Sequence, residues 1–203
     1  MLPKRSTGES LSQSSKLLPS LFAQTEKDQC TTVFHAGTAL PETVDFFSHY
    51  RCKLHFVDIF SELPCVASED EREPWPGFKE ILHFPVGTTF DICLFWDLFN
   101  FLDSAAITAF LRQLQPYLHS GSLAHGFSVH NLKTPQNNQL YGIRDVDTLN
   151  LRHRTARLPG YAPHSQNQLK RLLNCFRVER SVLLPDSRLE LLLRANLAVS
   201  PEP

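Results

Sequence analysis

Short apolar runs and helical apolar stripes alternate along this chain, and their order predicts a layered α/β fold. Strands are expected over 32–36, then in "KLHFVD", "EILHFP", "FDICLFWD" and "SLAHGFSV". The fourth is the clearest. Its interior carries no charge and an aspartate stands near each end, the continuous apolar character of a parallel strand covered by helices on both faces. A helix is expected over 41–50, opened by Pro41, because a missing N–H is harmless at a first helical position. Ile107, Phe110, Leu111, Leu114 and Leu118 recur at helical spacing, with Asp103 or Ser104 as cap and Gly121 where the chain leaves the helix. Ser165 and Gln168 have the spacing of a capping box, and Leu169, Leu172, Leu173 and Phe176 form the stripe that follows. "FRVERSVLL" and "RLELLLRA" flank Pro185, Asp186 and Ser187, a connection so tight that the two strands must be antiparallel. The expected fold is a three-layer, Rossmann-like, seven-stranded and mostly parallel sheet ending in an antiparallel hairpin over 176–184 and 188–195.

Serine supplies six of the first twenty residues, so residues 1–30 read as a flexible segment, with "KLLPSLFAQTEK" able to form a short helix. Residues 31–203 then form one domain, without internal repeats or a second core. "SELPCVASEDEREPWPG" interrupts the pattern with Glu69, Asp70, Glu71 and Glu73 and reads as a solvated connection. A length of 203 residues suits a single core, and 42% hydrophobic against 20% charged residues suits a globular protein. A net charge of −1 gives no basic footprint for nucleic acid. The five cysteines include no C-x-x-C pair and their odd count closes no disulfide framework. Lys4 and Arg5 precede a stretch too polar for a signal peptide, and no run approaches the ~20 apolar residues of a membrane span. These features imply a cytoplasmic protein with no membrane partner. Scattered histidines and acids offer no metal-ligand spacing.

Three local patterns carry a more specific likeness. "TTVFHAGTALPE" runs from an apolar strand into a small-residue loop with His35, Gly37, Ala39 and Pro41. Asp58 ends the second strand and Ile59 follows it; an acid about 20 residues beyond a glycine loop can accept bonds from ribose hydroxyls. "FDICLFWDLFNFL" closes a strand with Trp96 and Asp97, and Asn100 follows. With the terminal hairpin, this order over about 31–195 resembles the class I S-adenosylmethionine-dependent methyltransferase fold. The resemblance implies S-adenosylmethionine as cofactor and methyl transfer to a small molecule or protein side chain. His35 stands where that family has an acid, and Ala39 and Pro41 where it has glycines. The cofactor region implied is His35, Gly37, Ala39, Asp58, Ile59 and Trp96. Asp97 is then the candidate catalytic residue, orienting a nucleophile or taking its proton, with Asn100 beside the substrate. As alternatives, Asp58 and Asp97 are strand-end or helix-capping carboxylates, and the chain is a non-catalytic interaction or regulatory module on the same fold.

Between the fifth strand and the last helix, residues 130–163 are longer than an ordinary connection and read as a cover over the substrate side. Arg144, Arg152, Arg154 and Arg157 give this segment a cationic surplus. Guanidinium groups there either recognise a substrate carboxylate or phosphate, Arg144 being the candidate, or keep a solvated loop soluble.

Overall fold

The computed structural model describes residues 11–24, 29–63, 76–155 and 157–197, so the acidic stretch 69–73 lies outside the described residues. The chain runs through β1 (Leu11–Ser14), α1 (Leu18–Phe22), β2 (Thr31–Ala36), α2 (Pro41–Ser48) and β3 (Cys52–Val57). It continues through α3 (Pro76–Ile81), β4 (Phe90–Trp96), α4 (Ser104–Leu114) and β5 (Leu118–Val129). The antiparallel pair β6 (Gln139–Asp145) and β7 (Thr148–His153) follows, then α5 (Gln166–Leu172), β8 (Phe176–Leu183) and β9 (Arg188–Ala195). The main sheet is mixed and has six strands in the order β3-β2-β4-β5-β9-β8. β2 pairs in parallel with β3 and β4, and β4 with β5, whereas β9 is antiparallel to β5 and β8.

The sheet therefore has six strands, not seven. "EILHFP" is no strand: Phe78, Ile81 and Leu82 stand at helical spacing, and the Leu82 amide bonds the Phe78 carbonyl at 2.9 Å. Six residues are too few for a strand and a short helix to be told apart by period. Gly121 likewise does not end α4, which stops at Leu114. It lies inside β5, beside a register irregularity.

Alternation along β4 distributes the core. Ile92, Leu94 and Trp96 pack on one face with Val33, Phe127 and the α1 and α2 side chains, and Cys93 and Phe95 on the other with Phe34, Phe110 and Phe176. Side chains buried this fully contribute roughly 1.5–3 kcal/mol each. The caps expected from sequence are made: Asp103 accepts from the Ala106 amide at 2.7 Å, and Ser165 from the Gln168 amide at 3.3 Å.

The described structure reaches back to Leu11, twenty residues before the point where the domain was expected to begin. β1 pairs with β7, and Leu17, Leu18 and Leu21 are fully buried. A buried polar knot fixes them. The Glu190 carboxylate, on β9, accepts from the Ser15 hydroxyl, from the Lys16 and Leu17 amides at 2.9 and 3.1 Å, and from His125 Nε2 at 2.9 Å. Burial alone would raise this carboxyl, but those hydrogen bonds hold it down to about 2. Glu190→Ala is expected to lower the urea unfolding free energy by about 3–5 kcal/mol, the range for breaking a buried charged pair. A loss below about 1 kcal/mol, as for an exposed pair, would show that β1–β7 pairing and the buried leucines hold the segment without the Glu190 knot.

Candidate functional site

In open α/β sheets, ligands sit beyond the carboxyl ends of the parallel strands, here the ends of β2, β3 and β4. Gly37 leaves β2 at φ +133°, a conformation that L side chains avoid, and its amide bonds the Val57 carbonyl at 2.7 Å. This turn sends the Thr38 hydroxyl to Asp58 Oδ2 at 2.8 Å. Asp58 Oδ1 is buried without a hydrogen-bond partner. Ala39 is exposed, and Ile59 is fully buried in the core, offering no surface to a ligand.

His35 is buried at 2% exposure, and its Nε2 accepts the Trp96 indole N–H at 3.0 Å. Burial pushes its pKa down to about 4, so the ring is neutral at pH 7, with its proton on Nδ1. Trp96 ends β4 at φ +52°, an unfavourable conformation for a bulky residue and one that marks a strained, over-determined position. Close approach continues next door, where a Cβ on Gly126 would lie 2.9 Å from the Trp96 carbonyl oxygen.

Asp97, at 2% exposure, follows immediately. Burial raises its pKa to about 7, against the opposing pull of Arg154 and Arg188 and of the Tyr141 hydroxyl. That hydroxyl donates to Asp97 Oδ2 at 3.4 Å, while Oδ1 is buried without a partner. Asn100 is spent on structure: Nδ2 donates to the Phe127 carbonyl at 3.3 Å and its own carbonyl accepts from the Ala162 amide at 2.9 Å.

The cover segment closes this region. Its strands β6 and β7 form a separate three-stranded sheet with β1. Glu42, at the start of α2, anchors it with a bidentate bond to Arg152 (Nε 3.0 Å, Nη2 2.6 Å) and a bond from Asn150 at 3.0 Å. Thr43 accepts the Ile143 amide at 3.0 Å. Tyr141 lies over Trp96 (centroids 5.4 Å, planes 6° apart) and over Phe127, and its oxygen accepts from Arg188 Nη1 at 2.9 Å. Arg154 places its guanidinium 4.4 Å from the Phe60 ring centre, in the fields of Asp97 and Asp58. Arg144 is exposed at the β6 tip, and no contact joins it to the site among the described residues. The arginines whose charge reaches Asp97 are Arg154 and Arg188, the latter paired with Asp186. Arg154 belonged to the cationic run visible in the sequence. Tyr141, Phe60 and Arg188 carried no comparable signal beyond a charge heading an apolar strand.

What is left of the cleft is about 200 Å³, open mouth included, bounded by His35, Gly37, Phe60, Leu140, Tyr141 and Arg154. Asp58 retains a free acceptor suited to a ribose hydroxyl. Elsewhere Tyr141 and Arg154 line the cleft and narrow it, and His35 presents a neutral imidazole rather than a carboxylate. In this closed arrangement the residues do not fit the cofactor. Among the described residues no three metal-ligating side chains gather, and no helix is long and apolar enough to cross a membrane.

No protein-family model and no curated protein matches the chain. Solved structures do. An S-adenosylmethionine-dependent methyltransferase from Clostridium acetobutylicum superposes with a TM-score of 0.51 at 12% identity, over 90% of this chain and 92% of that one. The Burkholderia thailandensis 1,6-didemethyltoxoflavin-N1-methyltransferase, solved with S-adenosylhomocysteine, matches with a TM-score of 0.50 at 12% identity, over 89% and 77%. The mitomycin 7-O-methyltransferase matches with a TM-score of 0.50 at 14% identity, over 88% of this chain, which spans only 53% of that enzyme. At these identities the likeness is one of fold: an α/β, class I methyltransferase-like fold.

The two buried titrating groups give the site a pH signature. The folded pKa of Asp97 lies above its ordinary 3.8, so its stabilising contribution is complete below that value and is lost as pH rises through about 7. The folded pKa of His35 lies below 6.5, so its contribution is present above 6.5 and is lost as pH falls toward about 4. Asp97→Asn is expected to remove the alkaline loss. Urea unfolding should then show the variant more stable than the native chain at pH 8, by up to about 4 kcal/mol, with the gap narrowing toward pH 4. A constant gap across that range would contradict burial of a titrating Asp97.

Proposed function

We propose that this chain is a methyltransferase-fold interaction or regulatory module that works through binding, with its cofactor cleft filled by its own side chains. One observation carries this reading. Tyr141 and Arg154 of the cover segment line the cleft at the carboxyl ends of the parallel strands, leaving about 200 Å³, open mouth included. Both are packed in place, Tyr141 stacked on Trp96 and Phe127 and Arg154 over Phe60, although Arg154 Nε is buried without a hydrogen-bond partner. His35 supports the same conclusion, since a buried neutral ring cannot engage a cationic amino group as a carboxylate does.

A second reading is S-adenosylmethionine-dependent methyl transfer to a small molecule or a protein side chain. It is favoured by two buried, unpartnered carboxylate oxygens, Asp58 Oδ1 and Asp97 Oδ1, and by an Asp97 pKa of about 7, near the value suited to a general base. Under that reading the β6–β7 pair has to move before the cofactor binds.

Titration calorimetry with S-adenosylmethionine and S-adenosylhomocysteine separates the two. The expected result is no measurable binding by the native chain. None is expected of His35→Asp/Ala39→Gly either, because restoring the loop leaves Tyr141 and Arg154 in place. Tight binding by the native chain would overturn the module reading. Asp58→Ala should then weaken that binding by about 1.5–3 kcal/mol, the loss of a hydrogen bond to a charged group.

A further inference from the structure

A second hollow lies at the amino ends of the parallel strands, opposite the cleft, where β2 and β4 begin and β9 ends. It measures about 760 Å³, open side included, against about 200 Å³ for the cleft. About 300 Å³ of it lies clear of the walls, the lower end of the ~300–1,000 Å³ range for small-molecule sites. Ile92 and Leu123 supply its apolar part, and Thr31, Asp91 and Arg194 are among its polar groups.

The β8–β9 side of this hollow carries more positive charge than it pairs. Arg177 on β8 stands directly opposite Arg194 on β9, so the two side chains share a face with their β-carbons roughly 5 Å apart. Like charges placed so are destabilising. A bulge at Glu179 enlarges the cluster. The register passes from Val178↔Leu193 to Arg180↔Leu192, which turns Arg180 to the face of Arg177 and Arg194 instead of away from it. Glu179 accepts from Arg194 Nε at 2.6 Å, and Arg180 Nη1 donates to the Ser20 hydroxyl at 2.8 Å. Among the described residues Arg177 makes no hydrogen bond or ion pair, and Arg194 Nη1 makes none either. Three guanidinium groups against the single carboxylate bonded to them leave two positive charges in surplus.

Asp91 stands on the other side of the hollow. Arg194, Leu123 and Ile92 lie in one row across β9, β5 and β4, so Asp91 is roughly 10 Å from Arg194 at the backbone. An ionised carboxylate offers about four lone-pair positions. Two are taken here, by the Thr32 amide at 2.7 Å and by His119 Nε2 at 3.1 Å.

We propose that this hollow binds a small phosphomonoester with a hydroxyl-bearing body. Its phosphate, with a charge of about −1.5 to −2 at pH 7, is matched by Arg177 and Arg194 Nη1, and Arg180 adds to the field. Guanidinium groups present paired donors to phosphate oxygens. The ligand's hydroxyls face the remaining acceptor positions of Asp91 and the Thr31 hydroxyl. The surplus of two charges selects a dianion over a carboxylate. The distance from Arg194 to Asp91 selects an ester over inorganic phosphate and keeps the acid away from the anion. The site shares no lining residue with the cleft, so it stands or falls apart from the reading of that cleft.

Glucose 6-phosphate, glucose and inorganic phosphate are the probes, titrated into the full chain at low salt and followed by amide NMR shifts. Glucose 6-phosphate is expected to shift Thr31, Gly121, Leu123, Arg177 and Arg194. Inorganic phosphate should bind more weakly and shift the two arginines alone, and glucose should shift neither of them. Arg177→Gln should weaken glucose 6-phosphate by up to about fivefold, as for an exposed ion pair. The same variant should leave the thermal midpoint unchanged or higher, because it relieves a like-charge contact. Asp91→Asn should weaken glucose 6-phosphate and leave inorganic phosphate unchanged; Thr31→Val takes its place if that variant does not fold. Absence of shifts at millimolar glucose 6-phosphate, or equal shifts from glucose, would overturn the proposal. So would undiminished binding by Arg177→Gln, or inorganic phosphate bound as tightly as the ester.

Discussion

The arrangement of this molecule turns on the seating of Tyr141. Its ring lies over Trp96 at the end of β4 and over Phe127 on β5. Its hydroxyl joins Asp97 to Arg188. That single side chain fixes the β6–β7 pair to the carboxyl ends of the main sheet, the place where folds of this class receive ligands. The pair is held from the far side as well, by the Glu42–Arg152 bond to α2. Gly142 permits this approach, since a Cβ there would come within 2.4–2.7 Å of the Glu42 side chain.

Closing the cleft in this way has electrostatic consequences. Asp97 is removed from water and keeps one oxygen unpaired, so its proton is held until about pH 7 even with two arginines nearby. Arg154 sits in the field of both carboxylates and stacks on Phe60, which makes the guanidinium a built-in cation at the carboxyl ends of the strands. Trp96 at positive φ, a buried His35 with one unpartnered nitrogen and the unpaired oxygens of Asp58 and Asp97 gather at one end of one sheet. Such departures persist where surrounding structure over-determines them. Here the surrounding structure is the chain's own cover.

Much of the fold was legible because it depends on local pattern. The uninterrupted apolar β4, the capping residues Asp103 and Ser165 and the tight β8–β9 turn each act within a few residues of chain. "EILHFP" was misread because six residues of mixed spacing fit two periods. The short helix expected in "KLLPSLFAQTEK" is present as Leu18–Phe22, but the serines before it suggested disorder, whereas Ser15 is held by Glu190, far away in sequence. At the candidate site, the strand-end positions of Asp58, Asp97, His35 and Gly37 were legible. Their closure was not. It depends on contacts of Tyr141 with Asp97, of Arg188 with Tyr141 and of Arg154 with Phe60, each spanning 44 or more residues, and no local rule indicates which of several arginines turns inward.

Hydrogen–deuterium exchange across β6 and β7, with and without millimolar S-adenosylhomocysteine, tests the self-filled cleft most directly. A cleft occupied by Tyr141 and Arg154 requires slow exchange at the Ile143 and Leu151 amides that the ligand does not alter. Rapid exchange in these strands, or protection that appears only when the ligand is added, would contradict it.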